Sequence, residues 1–178
     1  ADLYFKLGKD GIITIDKSPS MKTELEMTNG IKLESGYISP YMITNPERME
    51  SVTEKPYILL TDYRLTEAND LLPIMNKMAE ANKRELIVIA ENMEQNALAT
   101  AVVNRMQGKF LTVAIALPTG TRDGARENRK VLLEDLAILT GAKVFTESKG
   151  NRLEEAVIED LGRAERFICR NNRVFKKK

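Results

Sequence analysis

At 178 residues the chain suits a single domain with a real core, and its 43% hydrophobic and 30% charged fractions are those of an ordinary globular protein. A net charge of +1 gives no electrostatic case for nucleic acid or an anionic membrane, and no apolar run approaches the roughly 20 residues of a membrane helix. With no histidine, the usual general base and the commonest metal ligand are missing, which argues against Ser-His and Cys-His hydrolases and against a metalloenzyme.

Short strands are expected over residues 11–16 and 23–27, joined by the turn-like Lys17-Ser18-Pro19-Ser20, with another over 31–33. Residues 36–40 carry turn chemistry with Tyr37, and Tyr41 follows directly; Asn45-Pro46-Glu47-Arg48 is a further turn. From there the pattern alternates. A strand over 57–61 leads to a helix over 66–82, a buried strand over 86–90 to a helix over 94–107, and a strand over 110–116 to a helix over 126–140 ended by Gly141. A strand over 142–146 and a short helix over 153–161 follow, and residues 166–169 with 173–175 are expected to close as a hairpin. This order defines a layered α/β domain, with a mixed sheet, flanking helices and antiparallel pieces at both ends.

Two of these helices are apolar over too much of their circumference. At roughly 100° per residue, Leu71, Ile74, Met78 and Ala81 form one stripe on the first, and Leu72, Met75 and Ala79 form a second beside it. The second helix repeats the pattern with Leu98, Ala99, Val102, Val103 and Met106. Two structures satisfy such a pattern: a helix sandwiched between the sheet and another layer, or a surface built to hold something apolar. The ordinary polar remainder (Asn76, Lys77, Glu80, Arg105, Gln107) and the flexible methionines Met75, Met78 and Met106 favour the surface.

The other candidates are weaker. The segment Thr119-Gly120-Thr121-Arg122-Asp123-Gly124 lies between a strand and a helix, but it matches neither dinucleotide-fingerprint nor P-loop spacing, so a mobile exposed loop over 117–129 is expected. The paired carboxylates (Glu91 and Glu94, Glu134 and Asp135, Glu154 and Glu155, Glu159 and Asp160) sit where negative charge complements a helix dipole or faces water. Lys176-Lys177-Lys178 is a solvated basic end. Cys169, the single cysteine, excludes an intrachain disulfide, fits a reducing compartment, and suits a small buried hydrophobe. No catalytic residue, cofactor site or metal site is assigned.

At residues 35–42 the string Ser35-Gly36-Tyr37-Ile38-Ser39-Pro40-Tyr41-Met42 resembles the "RGYLSPYF" segment of group I chaperonins, the GroEL and mitochondrial heat-shock chaperonin family. The likeness continues in order: PYILLT (56–61) with "PFILLA", LLPIM (71–75) with "MLPVL", LIVIAE (86–91) with "LLIIAE", and ALATAVVN (97–104) with "ALATLVVN". LEDLAILTG (133–141) and EDLGRA (159–164) are similar to that family's "LTGG" helix end and "EDLGQA". The matched part is the family's apical domain, of β/β/α layered fold, with residues 1–27 as a lead-in from the intermediate domain and 28–178 as the apical domain. The Asp-Gly-Thr-Thr signature of the ATP-binding equatorial domain is not in the sequence, so the resemblance implies a fragment without ATPase activity. ATP and magnesium would belong to the full-length protein.

What the resemblance implies is a domain that binds non-native polypeptide and the lid-forming co-chaperonin at the mouth of a heptameric ring, in the cytoplasm or an organelle matrix. An isolated domain would be monomeric, without nucleic-acid or membrane partners. Carried over position by position, the binding residues are Tyr37, Tyr41 and Met42, then Leu72 and Met75 on the first helix, and Leu98, Val102 and Val103 with polar Asn104 on the second. Ser35 stands where the family usually has arginine, Met42 replaces phenylalanine, and the 117–129 loop is several residues longer, so this resembles a divergent member. The alternative, with the Gly120 loop cradling a phosphate, is a small-molecule- or nucleotide-binding α/β regulatory or enzymatic domain.

Overall fold

The computed structural model describes residues 3–7, 12–17, 31–33, 39–42, 44, 47, 50–117 and 125–170. The chain runs through β1 (Leu3–Leu7), β2 (Ile12–Lys17), β3 (Ile31–Leu33), a 3-10 turn at Pro40–Met42, β4 (Glu50–Glu54), β5 (Tyr57–Thr61) and β6 (Arg64–Leu65). It continues through α1 (Leu72–Glu80), β7 (Glu85–Ala90), β8 (Asn92–Met93), α2 (Gln95–Met106), β9 (Leu111–Ala116), α3 (Ala125–Thr140), β10 (Val144–Phe145), β11 (Gly162–Arg163) and β12 (Arg166–Arg170). The result is a mixed α/β arrangement with a parallel sheet and three α-helices among the described residues.

The central sheet has the order β10-β5-β7-β9, all parallel, and β11 pairs antiparallel with β5 on the same edge as β10. Every residue of β5 is buried, as is β7 from Leu86 to Ala90, because layers cover both faces. Their runs YILLT and ELIVIA therefore read as continuous apolar strands rather than alternating ones. Since β5, β7 and β9 are adjacent and taken in order, right-handed crossovers put α1 and α2 on one face. The second sheet, β3-β1-β2-β12-β4, brings β1 and β2 together with β12 from far along the sequence. Its buried Phe167, Cys169, Ser51 and Thr53 share one face by register, and Phe167 and Cys169 join the same core as the parallel sheet.

Three expectations need correcting. The helix over 66–82 is shorter, because Arg64–Leu65 pair with Asn92–Met93 and Ala68–Asp70 form a 3-10 turn. The Asp70 carboxylate accepts the Thr66 and Glu67 amides at 3.0 and 2.9 Å and holds that turn apart from the helix. The helix over 153–161 is instead two 3-10 turns, Leu153–Glu155 and Ile158–Asp160, around an extended Ala156. Lys77 Nζ donates to the Ala156 carbonyl at 2.6 Å, which takes that acceptor out of any helical ladder. β12, expected as one arm of a terminal hairpin, instead has both its edges taken, by β2 in parallel and β4 antiparallel. Residues 23–27 and 173–175, most of the 117–129 loop, and Lys176 to Lys178 lie outside the described residues.

The left-handed Gly141 (φ 78°) ends α3 as expected, and Cys169 is buried. Gly162 is set by close approach instead. A Cβ there would lie 2.5 and 2.7 Å from Oγ1 and Cβ of Thr140 and 2.9 Å from Ala142 Cβ. Gly162→Ala should therefore push the end of α3 off β5 and cost about 1–3 kcal/mol. A melting curve checks this; an unchanged midpoint would show that the contact gives way freely.

Candidate functional site

Backbone bonds at the carboxyl end of the parallel sheet fix where the two apolar helices begin. The Glu94 amide donates to the Leu65 carbonyl at 2.9 Å and the Ala97 amide to the Thr66 carbonyl at 3.0 Å, so the start of α2 is tied to the segment leading into α1. Pro73 sits in the first turn of α1, where its missing N–H costs nothing. Gln95 opens α2 at φ 53°, a left-handed conformation that a side-chain-bearing residue rarely adopts. The Arg64–Glu94 ion pair at 2.7 Å is exposed and adds little.

The surplus on α1 is mostly absorbed by the core. Leu71, Ile74 and Met78 are buried, and so is Met75 at 4% exposure, which leaves half-buried Leu72 and exposed Ala79 on the flank. The turns at 153–155 and 158–160 pack against this helix, with Lys77 bonded across to one of them. On α2 the buried side is only Ala97 and Ala101. Ala99, Val103 and Met106 lie about half a turn round the helix at 100° per residue, and they face out, Val103 at 49% and Met106 at 70% exposure. Leu98 and Val102 are half-buried between the two faces. The expected two-helix surface is thus chiefly one face of α2.

The Pro40–Met42 turn packs on α2 and on β9. Tyr41 is 63% exposed, whereas Met42 is fully buried, its Sδ accepting the Ala114 amide at 3.2 Å. Met42 and Met75 therefore lie in the core rather than line the surface, a place the adaptable thioether suits. Asn104 is half-buried and donates to its own helix, Nδ2 to the Thr100 carbonyl at 2.8 Å. Tyr37 lies outside the described residues. Three residues were missing from the expected set. Ala99 and Met106 belonged to the α2 stripe by spacing alone; Arg105, whose guanidinium reaches the Met42 carbonyl, had no sequence signal beyond its place on α2.

A separate cleft of about 990 Å³ lies at the carboxyl ends of β5, β7 and β10, where the sheet order reverses. Asp62, Glu91 and Thr146 follow those strands, while Arg129, Lys130 and Glu134 come from α3. Nearby, Tyr63 donates to the Asn151 carbonyl at 2.6 Å, and desolvation, with Asp62 and Glu147 close by, raises its phenol above the usual tyrosine range. Among the described residues no group of three or more His, Cys, Asp or Glu is placed to hold a metal ion, and no helix is long and apolar enough to cross a membrane.

This arrangement of a parallel sheet with helices is compatible with a chaperonin-like domain fold. Among solved structures the chain is similar to the chaperonin gp146 from the bacteriophage EL 2 (Pseudomonas aeruginosa), crystallised in the presence of ATP-BeFx, with a TM-score of 0.54 and 12% sequence identity. The likeness covers 79% of this chain and 28% of that one, so this chain spans less than a third of that chaperonin's length. At this identity the likeness is one of fold. No family model matches the sequence.

Proposed function

We propose that this domain is the apical, polypeptide-binding part of a chaperonin of β/β/α layering, holding non-native polypeptide and the co-chaperonin through the outward face of α2 and the neighbouring Tyr41. The chaperonin-like fold supports the reading, and the observation that carries it is the apolar face of Ala99, Val103 and Met106 turned away from the core. An apolar face left outward on a folded domain is the kind of surface that marks a partner site.

Fully burying one such side chain is worth about 1.5–3 kcal/mol, so the half-exposed set here supplies roughly 3–6 kcal/mol in all. Association costs about 4–15 kcal/mol. One copy therefore holds a client weakly, and a ring of copies acting together gains its strength from avidity. The domain has no chemistry of its own in this reading: ATP bound elsewhere in the full-length ring would exchange client for co-chaperonin. Calorimetry of the chain with a reduced, alkylated polypeptide that cannot refold should give weak heat-releasing or heat-absorbing binding, and titration with nucleotides should give none.

The cleft at the sheet's switch point supports a second reading, because open α/β sheets take ligands at that position. A nucleotide signal, lost on Lys130→Ala and without any polypeptide signal, would favour a small-molecule-binding domain.

A further inference from the structure

We infer that Arg105 is the positioning residue of the α2 surface, clamping the turn that bears Tyr41 against that helix. What the surface binds rests on the polypeptide-binding reading above; the clamp itself rests on geometry. From the side of α2, the Arg105 guanidinium donates Nη1 to the Thr112 carbonyl at 3.2 Å and Nη2 to the Met42 carbonyl at 3.3 Å. One planar fork thus joins helix, edge strand and turn.

The turn's other anchor is Met42, whose side chain is buried in the core. Met42 plugs the edge of β9 through its thioether, a poor acceptor, at the Ala114 amide, and within the turn the Met42 and Tyr41 amides only return to Ser39. The Arg105 side chain is half-buried, and that desolvation lowers its pKa from the ordinary arginine value, a cost met by the two carbonyls it bonds. Lysine cannot reproduce a fork spanning two separate acceptors. Holding Tyr41 in place before a client arrives removes an ordering cost from binding.

Amide hydrogen exchange and client capture, measured together on the whole chain, test this. The Ala114 amide is the probe, since it is freed only when Met42 and its turn lift away. Arg105→Met should speed Ala114 exchange by about tenfold and leave the amides of β7 protected, with capture of a reduced, alkylated polypeptide falling several-fold. Arg105→Lys should fall between, and carries the comparison if the methionine variant does not fold. Unchanged Ala114 exchange overturns the clamp whatever happens to capture. Faster exchange with full capture, in a protein whose Val103→Ser variant does lose capture, overturns the positioning role. If neither Arg105→Met nor Val103→Ser changes capture while exchange rises, the clamp stands and the α2 face is not where polypeptide binds; if the parent chain captures none, the clamp stands and the polypeptide-binding reading falls.

Discussion

Ile87→Ser should leave little folded protein at physiological temperature, while Val103→Ser melts within a few degrees of the parent. Ile87 is fully buried in β7, the strand flanked by β5 and β9, where no neighbouring segment can relax toward the gap. Truncating a buried aliphatic costs about 2–5 kcal/mol, and an unpaired hydroxyl in its place about 1–3 more. Against a total stability of about 5–15 kcal/mol that is a large fraction. At roughly 2–4 °C per kcal/mol, the midpoint should drop by about 6–30 °C. Ile74→Ser, at the same depth in α1, should behave alike. Val103 gives up only exposed surface, with a change within about 0.5 kcal/mol. Equal losses from Ile87→Ser and Val103→Ser would mean that the outer face of α2 is covered in solution, and the binding surface would vanish with it.

The second large effect is on capture. Combining Tyr41→Glu, Val103→Ser and Met106→Ser removes three exposed apolar groups from one region without touching the core. If each contributes about 1 kcal/mol of burial on binding, capture of an unfolded client weakens on the order of 100-fold. An aggregation-suppression assay beside thermal melts would read both quantities. Leu72→Ser is expected to do less to capture and more to stability than Val103→Ser, since Leu72 is half-buried. Retention of capture within about twofold in the triple variant, with an unchanged melt, would place the binding surface elsewhere.

How far the sequence could be read depended on whether a local pattern survived tertiary packing. The buried strands β5, β7 and β9 and the helices α2 and α3 came through because their apolar runs and periodicity are settled within each segment. β4 did not, since Glu50–Glu54 carries one apolar residue among polar ones and buries Ser51 and Thr53 only because β12 lies beside it. The depth of a helix stripe was equally invisible. Met75 and Val103 both looked surplus by spacing, and what separates them is cover: α1 has the turns at 153–160 against it and buries Met75, whereas Val103 on α2 stays half-exposed. Met42 shows the same limit, because its burial depends on the edge of β9.

The placement of β12 has a consequence for how the domain is made. Phe167 pairs with Ile13 on one side and Thr53 on the other, so the strand that joins β2 to β4 is synthesised long after both. The parallel sheet and its three helices are complete in sequence before that strand emerges, and they can condense first. Until residues 166–170 arrive, β2 and β4 each carry an open edge, the kind of surface on which nascent chains pair with one another. During its own synthesis the domain would thus pass through a stage in which those two edges need cover.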